Sequence, residues 1–401
     1  MIRDSYVLFV GLFLLEGKIR MIMTEAEVFE FIEEEDVKFI RLAFVDVYGN
    51  QKNVSIMPMQ LKKAIDVGIP IDSSMITGFD SFLDDLLLVP DLNTLSLLPW
   101  RPQRGRVIRF FCNIYYSDRK PFELDSRMIL KKAIDDASKK GVKFEFGCKS
   151  EFYLFKKDEF GNETKNPIDN ASYLDIAPVD HGENVRREIC LTLEEMHIIP
   201  ICSHHEEGPG QNVIEFCQSD PLSAADNITT VKGVVKTIAN EMGLWASFNP
   251  KPLKDYPGNG FHINIMANQD SRYIMNGILS HIKEMTLFFN RVDESYQRLG
   301  QGRAPKYINW SYNNVGSLIR LPNDLSRVEL RSPDSLANPY IAYALLIYAG
   351  VDGILNEQAP AVRRIDDLEL LPTTLKEAFN FASNSPFILK YLPKNLIKAY
   401  E

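Results

Sequence analysis

The segment HHEEGPGQNVIEF, residues 204–216, is the stretch from which we predict the fold. Alternation on either side of its glycines predicts two strands joined by a turn. Because side chains two apart on a strand point to the same side, His204 shares a face with Glu206, and Val213 with Glu215. Carboxylates and imidazoles on neighbouring strands are typical of a magnesium or manganese site. A solvated polar turn is the alternative interpretation of the HHEE part.

Strands and helices interleave along the rest of the chain without a strict βαβ repeat, so the predicted class is α+β. Alternation predicts strands at 38–46, 52–56, 106–114, 143–155, 198–203, 211–217, 244–248, 260–266, 317–321 and 327–332. Helical periodicity predicts helices at 24–35, 125–140, 185–196, 221–242, 272–289 and 339–355. The turn Tyr48-Gly49-Asn50 makes a hairpin of the first two strands. We predict a small N-terminal domain at 24–115 and a larger one at 116–401.

The composition limits the classes of protein to which the chain can belong. Of 401 residues, 45% are hydrophobic and 25% charged, which excludes a disordered chain, a collagen and a membrane-spanning bundle. Acidic residues exceed basic ones by 54 to 45, and the net charge of −9 disfavours nucleic acid as a partner. A local basic pocket for a small anion stays open. The five cysteines form no CxxC pair, so we expect reduced thiols, a cytoplasmic location and no zinc site.

The first 22 residues contain an apolar run, Tyr6–Leu15, that is too short to span a bilayer. Met21 and Met23 precede a sequence that reads like an ordinary start. We therefore expect residues 1–22 to be an extension that is not the native beginning. A signal peptide and a short buried helix or strand are the alternatives.

Further charged residues lie on predicted strands in the second half of the chain. Lys149 and Glu151 share one face, and Glu329 lies between Arg327 and Arg331 on another. Arginines interleaved with a glutamate suit a phosphate or carboxylate ligand. A solvated edge residue is the simpler interpretation of any one of these acids.

Seven motifs, taken in chain order, resemble those of glutamine synthetase. Their agreement favours a metal and substrate site over solvated edge residues. The motifs are FVDVYGNQKNVSI (44–56), DSSMITGFDSFLDDLLLVPD (72–91), ASYLDIAPVDHGENVRREICLTLEEM (171–196), HHEEGPGQNVIEF (204–216), NPKPL with GNGFH (249–262), SYQRL (295–299) and RVELRSPDSLANPY (327–340). The similarity runs from about residue 24 to 357, and the C-terminus beyond it looks shortened.

The resemblance implies a fold, a reaction and an assembly. The fold would be an N-terminal β-grasp domain followed by a catalytic domain with a curved antiparallel sheet and flanking helices. The reaction would be ATP-dependent ligation of ammonia, or an amine, to the side-chain carboxylate of glutamate through a γ-glutamyl phosphate, with Mg²⁺ or Mn²⁺. The chain would form a homo-oligomeric ring with active sites between subunits, and it would bind neither nucleic acid nor membrane.

The resemblance also implies two metal sites, each of which has lost one ligand here. Glu151 and Glu206 match two of three glutamates of the first site, and the third position holds Val213. His262 and Glu329 match the second site, in which the remaining glutamate position holds Lys149.

Substrate-binding positions are partly kept. The matching residues for ATP and substrate are Arg298, Arg320, Arg327, Arg331, Gly258 and Gly260. The resemblance assigns catalytic roles to Asp46, Arg320 and Arg331, with Asp46 reaching the ammonium pocket of a neighbouring subunit. Three other family positions are altered, to Pro257, Arg303 and Val315.

The altered positions leave several functions open. We expect Lys149 to lie among Glu151, Glu329 and His262 and to replace the second metal, so that one ion is bound rather than two; a solvent-facing Lys149 is the alternative. Arg303 would repel ammonium. An active ligase, a catalytically degenerate regulatory or structural protein and a ligand sensor all remain candidates.

Overall fold

Two β-sheets organise the parts of the chain that a computed structural model describes, residues 23–79, 84–101, 104–357 and 368–401. The extension expected at residues 1–22 lies outside the described residues. No helix in the described ranges combines the length and the apolar character that crossing a bilayer needs.

The first sheet carries the predicted hairpin. Its strands are β1 (Val37–Val45), β2 (Gln51–Ile56), β3 (Ile69–Ile71), β4 (Leu86–Pro90), β5 (Ser96–Leu97) and β6 (Arg106–Tyr115). Their order is β2-β1-β6-β4-β3, with β5 also on β6. β1 and β6 are parallel, and β2 pairs antiparallel with β1, so β2 forms one edge. Helix α1 (Glu25–Glu34) begins at Thr24, which caps it together with Glu27, and α2 (Leu61–Asp66) follows the hairpin.

The second sheet holds most of the candidate site residues. Its strands are β7 (Phe144–Lys157), β8 (Glu163–Pro167), β9 (Pro200–His205), β10 (Gln211–Ser219), β11 (Leu244–Ser247), β12 (Phe261–Ala267), β13 (Trp310–Ser311), β14 (Ile319–Arg320) and β15 (Val328–Leu330). The order is β13-β14-β15-β12-β7-β10-β9, with β8 and β11 also paired to β7. The described pairs of this sheet are antiparallel, as predicted, except for the short parallel pair β13–β14, which makes the sheet mixed.

Strands β14 and β15 are half as long as the sequence predicts or shorter, and β15 covers Val328–Leu330 rather than 327–332. β14 covers Ile319–Arg320 rather than 317–321, because Ser317 closes a turn onto Asn314 and Pro322 has no N–H to donate.

Helices cover the second sheet and complete the core. They are α3 (Ser126–Ser138), α4 (Glu183–Glu195), α5 (Pro221–Glu241), α6 (Ser271–Phe289), α7 (Asp293–Arg298), α8 (Pro339–Asn356), α9 (Leu375–Ser383), α10 (Pro386–Tyr391) and α11 (Lys394–Ala399). Helix α8 is apolar and almost entirely buried. It crosses α6 so closely that a Cβ on Gly277 would lie 1.9 Å from the Ala349 carbonyl oxygen, which explains the glycine there.

A buried arginine joins the first sheet to the helices. Arg127 on α3 forms two hydrogen bonds to Asp226 on α5, of 3.0 and 3.1 Å. Its guanidinium also lies 3.0 Å from a carboxylate oxygen of Asp91, which follows β4, and donates to Asn113 on β6. The cation therefore ties two parts of the fold that are distant in the sequence.

Candidate active site

Three adjacent strands of the second sheet place charged side chains on one face. Lys149 on β7 lies directly opposite Glu215 on β10 and opposite His262 on β12. Two residues further along β7, Glu151 lies opposite Val213. Directly opposed residues point to the same face, so all five residues face the same side of the sheet.

Glu151 and Glu206 form a carboxylate pair at this face. An oxygen of Glu151 accepts a 2.7 Å hydrogen bond from the Gly260 N–H and a longer one from the Gln211 amide. Burial, and then the charge of Glu206, raise the pKa of Glu151 to about 7. Burial also raises the pKa of Glu206, although Arg303 and Lys149 oppose the shift. A divalent cation would relieve this repulsion, so the pair fits a metal ion.

Glu329 on β15 already has cationic partners. Its carboxylate accepts a 3.0 Å hydrogen bond from Arg331 and lies 3.7 Å from the Arg320 guanidinium. The Nδ1 atom of His262 is 3.6 Å away. Burial and the charges of Arg331, Arg298 and Lys149 lower the pKa of His262 well below its usual value, so its imidazole is neutral. Arg320 and Arg331 already neutralise Glu329, the single carboxylate at this position. The position therefore fits a second divalent ion poorly.

The lysine in the second-site position has a different partner from the one predicted. The Nζ atom of Lys149 lies 3.1 Å from Glu215. The resemblance places Lys149 among Glu151, Glu329 and His262, and it does lie opposite His262, but its ammonium pairs with Glu215. Glu329 is paired with Arg320 and Arg331 instead. Lys149 does not point freely to solvent either. Its charge still reaches Glu206 and His262.

Val213 occupies the remaining first-site position with an apolar side chain. It is only 2% exposed and lies between His204 on β9 and Glu151 on β7. Glu215 shares the face of Val213, as predicted, but its carboxylate is bound to Lys149 and accepts from the Cys202 thiol. Neither residue therefore adds a third carboxylate to the Glu151–Glu206 pair.

The glycines of the GNGFH segment allow close packing beside His262. A Cβ on Gly260 would lie 2.8 Å from His262 Nε2 and 2.9 Å from Arg298 Nη2, and one on Gly258 would lie 2.1 Å from the Pro250 carbonyl oxygen. Arg298 is buried and donates to the carbonyl oxygens of Ser332 and Arg331. In this chain Arg298 supports the site backbone, and its charge acts on His262.

Two arginines on the β15 segment offer buried donors without partners. Within the described ranges, the Nε atoms of Arg327 and Arg331 are buried and lack a hydrogen-bond partner. Buried donors of this kind are costly unless an acceptor completes them. The pattern fits an anionic group of a substrate, such as a phosphate or a carboxylate.

Asp46 is engaged within its own turn. Its carboxylate is 1% exposed and accepts from the N–H groups of Tyr48 and Asn50 and from the Asn50 amide. Asp46 therefore has hydrogen-bond partners within its own domain. The unrelated turn DEFGN at 158–162 has the same hydrogen bonds, with Asp158 in the place of Asp46. The turn sequence alone explains this bonding.

The other altered positions lie in loops. Arg303 is 3.5 Å from Glu207 and lies over the Tyr173 ring. The carbonyl oxygen of Pro257 accepts from the Tyr153 hydroxyl, and Val315 is exposed.

Sequence reasoning missed a buried network beneath Glu206. His205 Nε2 lies 3.1 Å from Asp169, and its Nδ1 lies 2.6 Å from the carbonyl oxygen of Glu206. Arg186 pairs with Asp180 next to it. Asp169, Asp180 and His205 are close enough to one another for metal ligation, but Arg186 already neutralises this cluster. No local sequence signal links Asp169 to His205, because the fold brings together distant segments.

The chain is similar to known proteins in sequence, over both of its predicted domains. A family profile described as "Glutamine synthetase, catalytic domain" matches residues 123–401, and one described as "Glutamine synthetase, beta-Grasp domain" matches residues 36–117. The chain is 40% identical to a glutamine synthetase of Clostridium saccharobutylicum, over 94% of this chain and 93% of that protein. It is 39% identical to one of Methanosarcina mazei, over 94% and 92%.

Solved structures agree on the fold. Plasmodium falciparum glutamine synthetase matches with a TM-score of 0.84 and 21% identity over 94% of each chain. A structure titled "Apo GmaS without ligand" matches with a TM-score of 0.84 and 25% identity over 93% of each chain. These similarities confirm the predicted β-grasp and catalytic-type folds. By its sequence and its fold, this chain is a member of the glutamine synthetase family.

Proposed function

We propose that the chain is an ATP-dependent ligase that joins ammonia, or a small amine, to the side-chain carboxylate of glutamate. The observation that carries the proposal is the buried Glu151–Glu206 pair on the same sheet as the unpartnered Nε donors of Arg327 and Arg331. One end of this arrangement suits a cation and the other an anion. A nucleotide–metal complex and an amino acid have that combination of charges.

The chemistry divides into two balanced steps. A carboxylate oxygen of glutamate attacks the γ-phosphorus of ATP, and the bond to ADP breaks. Ammonia then attacks the carbonyl carbon of the γ-glutamyl phosphate, and inorganic phosphate leaves. A divalent ion supplies positive charge that lets the carboxylate approach the triphosphate.

The residues of this chain bind and orient the substrates. Glu151 and Glu206 would hold one Mg²⁺ or Mn²⁺ ion. Arg327 and Arg331 would bind anionic oxygen atoms, and Glu329 orients Arg331 through their 3.0 Å hydrogen bond. Arg320 is partly exposed and would neutralise charge that develops on the transferred phosphoryl group.

A neighbouring copy of the chain would complete the site in a ring. Ile199 and Ile201, in and beside the edge strand β9, are exposed, as are Ile176 and Val179. An apolar edge of this kind supports an interface between subunits. Asp46 would then reach the ammonium pocket of the next subunit and accept a proton, in addition to its role in its own turn.

The test is ADP release by the purified full chain with ATP, glutamate, ammonium and Mg²⁺ or Mn²⁺. We expect turnover that requires both glutamate and ammonium and is lost in Glu329→Ala. The exposed Glu195→Ala variant on α4 is the matched control and should keep full activity. ADP release that persists in Glu329→Ala, or that does not depend on glutamate, would contradict the proposal.

A catalytically degenerate member is the second candidate, and the Lys149–Glu215 pair together with Val213 favours it. Removal of one hydrogen-bond donor from an oxyanion hole costs about 2.7–4 kcal/mol of transition-state stabilisation, and we expect a cost of that order for each lost metal ligand. Calorimetry with Mn²⁺ and ATP separates the cases when no turnover is found. Binding without turnover would indicate a ligand sensor, whereas a folded oligomer that binds neither would indicate a regulatory or structural role.

A further inference from the structure

A cavity of about 340 Å³ lies between the first sheet and helix α5, away from the carboxylates of the candidate active site. The turn at Tyr48–Gln51 and β1 form one wall, and α5 forms the other. Leu98, Trp100 and Phe248 give it apolar surface. Its volume is that of a site for a small organic molecule.

All the charged residues that line this cavity are cations. Arg41, Arg101, Arg109, Lys232 and Lys236 all line it, and none of its described lining residues is acidic. This concentration of positive charge contrasts with the net charge of −9 of the whole chain. A concave surface with one sign of charge focuses the potential and concentrates ions of the opposite sign.

The fold forces these like charges together. Arg41 on β1 lies directly opposite Arg109 on the parallel strand β6, so their side chains leave the same face of the sheet. Burial and the nearby charge of Arg101 lower the pKa of Arg41. Burial and the charge of Lys236 lower the pKa of Lys232 to about 7. Both shifts have the sign expected for cations that burial and repulsion destabilise.

Two of the buried arginines have carboxylate partners, unlike the half-buried Arg41 and the exposed Arg101 of the cavity. Arg127 pairs with Asp226, and Arg186 pairs with Asp180. Within the described ranges, Arg41 and Arg101 form no ion pair. Arg41 and Arg101 are therefore cations with which no carboxylate of the described ranges pairs, and an anion of matching size would pair with both.

The cavity is also connected to the candidate active site. Its lining residue Ser335 donates to the carbonyl oxygens of Glu151 and Gly260, at 3.0 and 3.2 Å. Its opposite wall includes the turn that holds Asp46. An occupant would contact both the turn of Asp46 and the segment that supports Glu151.

We propose that this cavity is a binding site for a small polyanion, a molecule bearing two or more phosphate or carboxylate groups, separate from the catalytic site. The arginine forks of Arg41 and Arg101 bind its oxygen atoms, and Lys236 closes the site from α5. Trp100 and Phe248 contact its apolar part.

The test uses the full chain without divalent ions, in chloride buffer of constant ionic strength. Binding of inorganic pyrophosphate and, in a second arm, of citrate is measured by calorimetry and by the shift in Tm. We expect binding of at least one anion and a rise in Tm. Tighter pyrophosphate binding identifies phosphate as the preferred group, and tighter citrate binding identifies carboxylate.

The double variant Arg41→Gln/Arg101→Gln should weaken this binding at least tenfold. Lys52→Gln/Lys63→Gln makes the same change in charge at exposed positions of the same domain and should not. The arginine variant should also have an equal or higher Tm in chloride alone, since it removes repulsion. If it does not fold, the single variant Lys236→Gln on the exposed face of α5 should weaken binding in the same direction.

Arg331→Gln distinguishes this cavity from the catalytic site, and it should leave pyrophosphate and citrate binding unchanged. Loss of binding in Arg331→Gln with retention in Arg41→Gln/Arg101→Gln would overturn the proposal, because the anion would then occupy the catalytic site. Absence of binding of either anion would overturn it as well. These outcomes do not depend on catalytic turnover.

Discussion

Lys149 and Glu215 form an ion pair of 3.1 Å between directly opposed positions of β7 and β10. The pair lies on the sheet face that also holds Glu151 and His262. It places a salt bridge where the family resemblance predicts a metal ligand. The same charge that neutralises Glu215 also opposes the binding of a second cation beside His262.

Replacement of Lys149 by glutamate should tighten metal binding. Lys149→Glu adds a carboxylate between Glu215 and His262 and removes the competing ammonium. We expect the affinity for Mn²⁺ to rise at least tenfold, which is about 1.4 kcal/mol. Calorimetric titration with Mn²⁺ measures it. Lys156→Glu makes the same change at an exposed position of β7 and should leave the affinity unchanged; equal affinities in both variants would show that Lys149 does not limit metal binding.

The turn at Asp46 should lose stability when the charge is removed. In Asp46→Asn, an amide N–H₂ replaces the oxygen that accepts from the Asn50 amide, so one buried hydrogen bond is lost. We expect the free energy of unfolding in urea to fall by about 1–3 kcal/mol. Asp158→Asn makes the same change in the exposed DEFGN turn and should have a smaller effect.

Activity measurements on the Asp46→Asn variant test its proposed second role. If Asp46 reaches the ammonium pocket of a neighbouring subunit, the KM for ammonium should rise while the KM for ATP stays constant. Unchanged kinetics in a folded variant would restrict Asp46 to its role in the turn.

Substitution of Arg127, the buried cation that joins the first sheet to the helices, should lower the free energy of unfolding. Arg127→Met leaves Asp226 and Asp91 without their main counter-ion, and Arg127 is only 2% exposed. We expect a loss of about 3–5 kcal/mol in the free energy of unfolding. Arg187→Met, in an exposed pair with Glu188, should change it by less than about 0.5 kcal/mol. A loss below about 1 kcal/mol for Arg127→Met would contradict this assignment.

Stability should depend on pH through His281 on α6. Burial disfavours its charged form, but hydrogen bonds with Glu284 and Asp352 outweigh burial and raise its pKa. A raised pKa in the folded state means that its stabilising contribution is complete below the unfolded value of about 6.5 and is lost as the pH rises through the folded value. The destabilisation caused by His281→Gln should therefore be larger at pH 6 than at pH 9 in urea unfolding.

The exposed His197→Asn variant is the control for the loss of one histidine. An equal effect of His281→Gln at both pH values would show that its hydrogen bonds do not depend on the charge of the imidazole.

The sequence predicted a helix or a strand well where neighbouring residues, such as a capping side chain or a turn, determine it. Thr24 and Asp125 cap the helices that follow them, because their side-chain oxygens accept from N–H groups of the first turn. The DVYGN turn predicted the hairpin of β1 and β2. The predicted ends of β14 were less accurate, because the turn at Ser317 and the missing N–H of Pro322 limit the strand.

The candidate site was predicted only in part. The motifs named its acids and arginines, and the alternation put Val213 and Glu215 on one face. Which acid each cation would bind could not be read from the chain. Lys149 had three predicted partners, and it pairs with a fourth residue, Glu215, that strand register brings opposite.

By itself, the sequence determined the family, the order of the elements and the residue types at the candidate site, because these depend on motifs and on patterns a few residues long. Tertiary structure alone decided that Lys149 pairs with Glu215 and that Arg41 lies beside Arg109 in a basic cavity. Each of these relationships joins strands that are distant in the chain. Their register depends on the packing of the whole sheet, and electrostatic interactions act over a few ångströms of space regardless of separation in sequence.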